Sequence, residues 1–178
     1  MRLDEAALVR WGERIGETVD APVFLGLQGP LGAGKSVLAR AIGQGLGVGQ
    51  PMPSPSFNLQ FRYTAGLGVQ VVHMDLYRLA SSDELWELGW EELGQANEVV
   101  LVEWPERAEG FLPPDHWLIE LSLVPGKPLL RDVGVVRVGH PPELAGFPMS
   151  LAGGGPPSTP SIPPAVPPST PPSIPRPR

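Results

Sequence analysis

The stretch GLQGPLGAGKSVLARAIG, from Gly26 to Gly43, decides the fold. Within it, GPLGAGKS (Gly29 to Ser36) matches the pattern G-x-x-x-x-G-K-[ST] of a phosphate-binding loop. A short apolar run from Val23 to Gln28 precedes the loop and predicts a buried strand. A helical pattern begins at Val37 and ends near residues 45–47. A strand, a loop and a helix in this order are the context that the pattern requires, so this stretch predicts a site for a nucleoside triphosphate.

Each position of the loop has a chemical task. Its glycines allow backbone amides to turn inward around phosphate oxygens without interference from Cβ atoms, and the following helix adds its positive N-terminal dipole. Lys35 is expected to reach the β and γ phosphates, and the Ser36 hydroxyl to bind Mg²⁺. The predicted nucleotide-binding residues of the loop are Leu31, Gly32, Ala33, Gly34, Lys35 and Ser36.

The C-terminal end of the chain differs in composition from the rest. Residues 156–178 are dominated by proline, mixed with Ser, Thr, Ile and Ala. Such a segment lacks amide donors and apolar density, so it is predicted to be disordered or polyproline-like. We therefore expect one folded domain at residues 1–147 and a disordered proline-rich tail at residues 148–178.

Charge and composition exclude several functional classes. The chain has a formal net charge of −6, and the only charged residues of the tail are Arg176 and Arg178, so the part predicted to fold is more acidic still. A nucleic-acid-binding domain usually presents a basic face, so direct recognition of RNA or DNA is disfavoured. The absence of cysteine excludes thiolate catalysis, disulfides and cysteine-ligated zinc.

No export signal or membrane segment is expected. The first residues, MRLDEAALVRWGERIG, are charged throughout and contain no apolar signal region. No stretch approaches the roughly 20 apolar residues that a membrane span needs. The sequence therefore predicts a cytoplasmic protein.

Outside the loop region, apolar patterns predict two helices and five strands. The helices are expected at residues 4–16 and 82–88. The strands are expected at residues 57–63, 69–75, 98–104, 116–124 and 130–138, with the first two joined as a hairpin through residues 65–68. Strands and helices arranged around a central apolar strand imply an α/β sandwich.

Two carboxylates stand at the ends of predicted strands. Asp75 ends VQVVHMD, and Glu103 ends VVLVE. Either could be an ordinary strand-end acid, but Mg²⁺ beside phosphate prefers one or two carboxylate ligands. One acid could therefore bind the metal while the other positions the attacking water. The spacing leaves open which acid does which.

Other polar residues are weaker candidates. Ser56, in the loop SPSF, could touch the metal or the γ phosphate, although Ser-Pro pairs commonly mark simple turns. Arg78, Arg107 and Arg131 could neutralise phosphate charge, but each could equally be a surface ion-pair residue. His73 is interpreted as a hydrogen-bonded strand residue, since no second histidine lies nearby.

Five motifs occur in an order that resembles one family. They are GPLGAGKS, SPSF, HMDLYRL (residues 73–79), LGWEE (residues 88–92) and VEWPER (residues 102–107). Together they resemble the TsaE family, also called YjeE, over about residues 3–138. The phosphate loop alone is generic, whereas HMDLYRL and VEWPER at these spacings are specific.

The resemblance implies a fold, an activity and partners. The fold is a three-layer α/β sandwich of the P-loop NTPase type, with a central mixed, mainly parallel sheet. The activity is Mg²⁺-dependent ATP hydrolysis in the cytoplasm. The partners are TsaB-type and TsaD-type proteins, which attach a threonylcarbamoyl group to the adenosine beside the anticodon of tRNAs that read codons beginning with A. The resemblance further implies that the protein supports turnover of that complex. The acidic net charge indicates that it meets tRNA only through the complex.

The resemblance also assigns roles to residues. It implies that Lys35 and Ser36 serve the phosphates and the metal, and that Glu103 is the second metal ligand. It implies that Asp75 orients or activates water. The remaining positions are Ser56 and Phe57 in a switch-like loop, Trp104 beside the site, and Arg131 as a late arginine near the nucleotide. Arg107 is predicted to bind the nucleotide on residue type alone.

The sequence departs from the family pattern in a few places. Pro30 stands where relatives usually have Asp, which removes a carboxylate and an amide from the start of the loop. Ser36 and Ser56 replace threonines and keep the hydroxyl. The first helix reads EAALVRW and offers no hydroxyl for an adenine base.

Two other classes of function remain open on sequence grounds. A small-molecule or nucleoside kinase could use the same phosphate loop, although no arginine-rich lid segment is evident. A nucleotide-gated binding module with negligible turnover is the other alternative.

Overall fold

The computed structural model describes residues 1–81, 83–95, 97–108 and 110–145. The proline-rich tail predicted at residues 148–178 lies outside the described residues, as does the end of the predicted domain at residues 146 and 147.

The described residues form seven strands and three α-helices. The strands are β1 (Arg2–Asp4), β2 (Val23–Gln28), β3 (Gln60–Thr64), β4 (Gln70–Asp75), β5 (Glu98–Glu103), β6 (His116–Val124) and β7 (Lys127–Val138). The helices are α1 (Glu5–Thr18), α2 (Lys35–Gly45) and α3 (Asp83–Glu87). Three 3₁₀ turns lie at Gly66–Gly68, Trp90–Glu92 and Pro105–Ala108.

Most of the predicted elements are present, with changes at some boundaries. The strands predicted at residues 23–28 and 116–124 have the observed limits. The first hairpin strand begins at Gln60 and not at Phe57, because the backbone of Leu59 is left-handed (φ 60°) and its amide bonds to the Pro55 carbonyl, which closes a turn. Strand β7 begins three residues earlier than predicted, at Lys127.

One mixed sheet contains all seven strands, in the order β1-β7-β6-β2-β5-β4-β3. The four central strands β6, β2, β5 and β4 run parallel to one another. Strands β3, β7 and β1 add to the two edges in antiparallel pairs. The predicted mixed sheet with a parallel centre is therefore confirmed.

The sheet separates two apolar layers. One face packs against α1 and α2 through side chains such as Leu8, Ile15, Leu38 and Ile42. The opposite face, which includes Met74, is covered by α3 and two of the 3₁₀ turns. The strands of the parallel centre are buried on both faces, which explains why they read as continuous apolar runs. The result is the predicted three-layer sandwich.

Helices α1 and α2 cross at very short range. A Cβ atom at Gly16 would clash with the carbonyl oxygen of Ile42, and one at Gly45 would clash with that of Glu13. Glycine at these two positions therefore lets the two helix backbones approach each other. This contact holds α1 against the helix that carries the end of the phosphate loop.

The topology brings the predicted site residues together at the carboxyl ends of the central strands. Strands β2, β5 and β4 are parallel neighbours, so their carboxyl ends, at Gln28, Glu103 and Asp75, lie side by side. Ligands of open α/β sheets bind outside the carboxyl ends of the strands. Separately, each helix within the described residues is too short or too polar to cross a membrane.

Candidate functional site

The phosphate loop connects β2 to α2 through backbone conformations that favour glycine. Gly29, Gly32 and Gly34 all have positive φ angles, of 136°, 77° and 104°. A Cβ atom at Gly29 would also clash with the Leu121 carbonyl oxygen of β6. The loop therefore needs glycine at the first position both for its conformation and for its close approach to the sheet.

Pro30 takes part in the hydrogen bonding of the loop through its carbonyl oxygen. Its carbonyl oxygen accepts a hydrogen bond from the amide of Ala33 at 3.1 Å, which closes the turn that leads into α2. Proline has no amide hydrogen, so residue 30 can offer a carbonyl but no backbone donor to a ligand.

Lys35 is buried at the first position of α2. Its ammonium group donates to the carbonyl oxygens of Gly29 at 2.6 Å and Pro30 at 3.0 Å. The nitrogen also lies 3.8 Å from the centre of the Trp104 ring, which is a cation–π distance. Burial lowers the pKa of Lys35 from its ordinary value, while the nearby carboxylates of Glu103, Glu106 and Asp75 act to raise it.

Trp104 reaches Lys35 through an unusual backbone conformation. It follows β5 directly and has a φ of 60°, which bulky residues rarely adopt. Its amide bonds to the Leu27 carbonyl at 3.1 Å. Its ring also lies 4.9 Å from that of Tyr77, centre to centre. Strained residues of this kind concentrate at ligand sites.

Ser36 and Glu103 form the centre of the site. The Ser36 hydroxyl donates to Oε2 of Glu103 at 2.8 Å. The other carboxylate oxygen, Oε1, lies 2.9 Å from Nε2 of His73. Glu103 and His73 are both buried, with 2 % and 0 % of their surfaces exposed. His73 is thus the hydrogen-bonded strand residue that the sequence predicts.

Asp75 is held by the loop that precedes β3. Its Oδ2 accepts hydrogen bonds from the hydroxyls of Ser56 at 2.7 Å and Ser54 at 3.1 Å. Its Oδ1 accepts from the amide of Tyr77 at 3.1 Å. The two hydroxyls also bond to each other at 2.8 Å. Asp75 therefore ties the SPSF loop to the end of β4.

The strand register explains why these side chains meet. Asp75 of β4 lies opposite Glu103 of β5 in a parallel pair. Alternate residues of a strand point to the same face, so His73 and Asp75 share one face, and Glu103 projects to that face from β5. That face is the one covered by α2, whose first turn supplies Lys35 and Ser36.

Two adjoining clefts border the phosphate loop. The first, which we call the loop cleft, has a volume of about 250 Å³. Its lining consists of Leu31, Gly32, Gly34, Lys35, Ser36, Val37, Ser54, Ser56, Asp75, Tyr77, Glu103 and Trp104. The second, which we call the lateral cleft, has a volume of about 310 Å³. Its lining consists of Asp4, Glu5, Ala6, Leu8, Gly32, Ala33, Gly34, Val37, Pro128, Leu129 and Arg131.

Arg131 supports the loop from the lateral cleft. Its guanidinium donates to the carbonyl oxygens of Ala33 at 3.0 Å and Gly32 at 3.3 Å. It also donates to Pro128 and Leu130 beside it on β7. Arg131 thus lies beside the phosphate loop with its donors directed at loop carbonyls, and its role in nucleotide binding stays a prediction.

The other two candidate arginines lie outside both clefts. Arg107 is exposed on the 3₁₀ turn after β5 and lines neither cleft. Arg78 is exposed and lies over the Phe57 ring at 4.4 Å. A role for Arg107 in nucleotide binding therefore stays a prediction from residue type alone.

Several lining residues were not predicted. Ser54 belongs to the SPSF motif, and its spacing of two from Ser56 could have identified it as a second hydroxyl on Asp75. Tyr77 lies in HMDLYRL, and its spacing of two from Asp75 could have identified it as a neighbour of that acid. The acidic pair Asp4 and Glu5 and the first residues of β7 carry no local signal, because only the fold brings them to the loop.

The fold and the loop geometry together define an α/β protein of the P-loop NTPase class. A family profile described as "Threonylcarbamoyl adenosine biosynthesis protein TsaE" matches residues 3–127. The chain belongs to this TsaE family.

Curated relatives agree with this membership. Each of the three that follow is named "tRNA threonylcarbamoyladenosine biosynthesis protein TsaE". The Haemophilus influenzae protein is 32% identical over 124 residues, covering 67% of this chain and 78% of the relative. The Treponema pallidum protein is 36% identical, covering 64% and 82%. The Bacillus subtilis protein is 37% identical over 120 residues, covering 67% and 73%.

A solved structure supports the fold. The structure titled "Crystal structure of Bacillus subtilus YdiB" superposes with a TM-score of 0.61 at 23% identity. The match covers 78% of this chain and 84% of the other. At that level of identity the likeness concerns the fold alone.

Proposed function

We propose that this protein is a Mg²⁺-dependent ATPase required to form threonylcarbamoyladenosine beside the anticodon of tRNAs that read codons beginning with A. It acts on a TsaB/TsaD-type complex and supports that complex's turnover. The observation that carries the proposal is the hydrogen bond from Ser36 to Glu103 at the mouth of a phosphate loop, in a chain of the TsaE family.

The two clefts fit the two parts of a nucleotide. They share the lining residues Gly32, Gly34 and Val37, so one ligand can occupy both. The loop cleft, with Lys35 and the first turn of α2, suits the phosphates. The lateral cleft, between α1 and the first residues of β7, suits the nucleoside.

The donors at the centre of the loop cleft suit Mg²⁺. Ser36 and Glu103 offer a hydroxyl and a carboxylate, which are the hard oxygen ligands that this ion prefers beside phosphate. The ion, when bound, would neutralise charge on the phosphate oxygens. Lys35 would add a second positive charge once its ammonium leaves the carbonyls of residues 29 and 30.

Asp75 is the residue proposed to orient the attacking water. It lies opposite Glu103 at the end of β4, on the side of the SPSF loop. Its present donors, Ser54 and Ser56, occupy one carboxylate oxygen. A change in the SPSF loop would free that oxygen to accept a hydrogen bond from water. Ser56 can then turn toward the γ phosphate.

Exposed apolar side chains beside the cleft favour a protein partner. Leu31, in the phosphate loop, is 75% exposed, and Phe57, in the SPSF loop, is 82% exposed. Large apolar side chains grouped around a site are typical of interaction surfaces. Contact there would couple a partner to the loops that hold the nucleotide.

Phosphate release in four mixtures tests the proposal. The purified protein is incubated with ATP and Mg²⁺, with ATP and EDTA, with added TsaB-type and TsaD-type proteins, and with a panel of nucleosides and small alcohols. We expect hydrolysis that requires Mg²⁺, rises with the partner proteins and ignores the small acceptors. Transfer of phosphate to a small acceptor would instead identify a kinase, and the absence of hydrolysis in every mixture would leave only a binding module.

A further inference from the structure

We propose that His73 is a positioning residue that sets the orientation of the Glu103 carboxylate toward Ser36. The inference rests on the proposed Mg²⁺-dependent function of this site. It concerns a side chain that lies behind the cleft and does not line it. Its basis is the chain of contacts from His73 through Glu103 to Ser36.

The two carboxylate oxygens of Glu103 have different partners. Oε1 faces Nε2 of His73 at 2.9 Å, and Oε2 faces the Ser36 hydroxyl at 2.8 Å. A carboxylate can only accept hydrogen bonds, so Nε2 is the donor. With one oxygen held from behind, rotation of the carboxylate about its terminal bond is restricted. The second oxygen is then directed at the hydroxyl that would share the metal.

Among the described residues, His73 has no polar partner other than Glu103. The residue has no exposed surface, and its second ring nitrogen, Nδ1, is buried without a hydrogen-bond partner among the described residues. The neighbouring strand residue, Leu101, is apolar and buried. Burying an imidazole in such a place costs free energy, and only the bond to Glu103 offsets it. An apolar side chain would suit the core better, so the histidine is explained by the carboxylate it holds.

Side chains behind metal-binding carboxylates commonly have this effect. Their substitution lowers metal affinity or activity by about 10- to 100-fold without removing a ligand. The expected defect here is therefore in metal binding, while the nucleotide's contacts with the loop itself persist.

Two amide substitutions separate positioning from packing. In His73→Gln the side-chain nitrogen reaches about as far as Nε2, so the donor to Glu103 is kept. In His73→Asn the same amide stops near the place of Nδ1 and falls short of Glu103. His73→Leu removes the donor altogether. Thermal unfolding of each variant shows whether it is folded.

The main readout is metal binding and not turnover. Mn²⁺ affinity is measured by electron paramagnetic resonance with saturating ADP, and ADP affinity is measured separately in EDTA. We expect His73→Asn and His73→Leu to weaken Mn²⁺ binding by about 10-fold or more, with ADP affinity in EDTA unchanged. We expect His73→Gln to stay close to the unmodified protein.

Several results would overturn the inference. The inference is wrong if folded His73→Asn and His73→Leu proteins bind Mn²⁺ with normal affinity. It is also wrong if these variants lose as much affinity for ADP in EDTA as they lose for Mn²⁺. Failure of both variants to fold, with His73→Gln folded, would assign the histidine to stability alone. If the unmodified protein itself binds no Mn²⁺ with ADP, the proposed function fails and not merely this extension of it.

Discussion

At the scale of single residues, the ionisable side chains of the site are buried and hydrogen-bonded. Lys35, His73, Asp75 and Glu103 are all buried. Lys35 donates to carbonyls of the phosphate loop that precedes it, whereas the other three have polar partners from distant segments. Buried charges are tolerated in proteins when they are paired in this way. We propose that these side chains are buried at a cost in stability because they bind a ligand.

Replacing Lys35 with alanine tests the phosphate contact. The change removes the single ammonium group that lines the loop cleft. A hydrogen bond to a charged group contributes about 1.5–3 kcal/mol, so the ATP dissociation constant should rise by about 10- to 150-fold. Isothermal titration calorimetry measures it. The other lysine of the chain, the exposed Lys127, provides the matched control, and Lys127→Ala should bind ATP normally. Equal affinities for the two variants would contradict the role of Lys35.

At the scale of elements, the crossing of α1 and α2 is the tightest contact that supports the site. Gly16→Ala places a methyl group against backbone atoms of α2, which cannot move aside as a flexible side chain can. Overpacking of this kind costs about 1–3 kcal/mol of unfolding free energy. Urea denaturation followed by circular dichroism measures the loss.

A second glycine supplies the control for that prediction. A Cβ atom at Gly49 would meet nothing within 4 Å, so Gly49→Ala should leave stability unchanged or slightly raised. Should Gly16→Ala prove as stable as Gly49→Ala, the two helices can separate without cost, and α1 does not brace the loop.

The elements also show what the sequence could and could not predict. The β2–loop–α2 unit was predictable because phosphate chemistry restricts nearly every position between Gly29 and Ser36. Strand β1 was missed because it has only three residues and pairs solely with the distant β7. The turn at Leu59 was missed because a leucine with positive φ leaves no trace in an apolar pattern.

The sequence likewise predicted only part of the candidate site. Asp75 and Glu103 were identifiable because each ends an apolar strand. Their division of labour depends on which acid faces Ser36, and that contact requires the register of β4 against β5. The role of His73 was hidden for the same reason, since its partner lies 30 residues further along the chain.

At the scale of the whole molecule, the compact α/β unit carries every residue placed at the two clefts. We propose that residues 1–147 form the functional domain and that residues 148–178 are not needed for ATP binding. Removing residues 148–178 should leave the ATP dissociation constant and the thermal unfolding midpoint unchanged. Calorimetry on both forms measures these quantities, and a clear loss of affinity in the shortened form would show that the tail contributes to the site.

The net negative charge is also a property of the whole molecule. A net charge of −6 opposes a large interface with the phosphate backbone of tRNA. We therefore expect tRNA to reach this protein only through the TsaB/TsaD-type complex, and the apolar side chains of Leu31 and Phe57 to face protein.

The most direct measurement is tRNA modification over many turnovers, reconstituted with TsaB-type and TsaD-type proteins, ATP, Mg²⁺ and the threonylcarbamoyl donor. Modified adenosine is counted per complex with this protein, without it, and with Lys35→Ala or Asp75→Ala in its place. We predict many modifications per complex with the unmodified protein and about one without it or with either variant. Equal yields with and without the protein, or full yields with both variants, would contradict a role for ATP hydrolysis in this reaction.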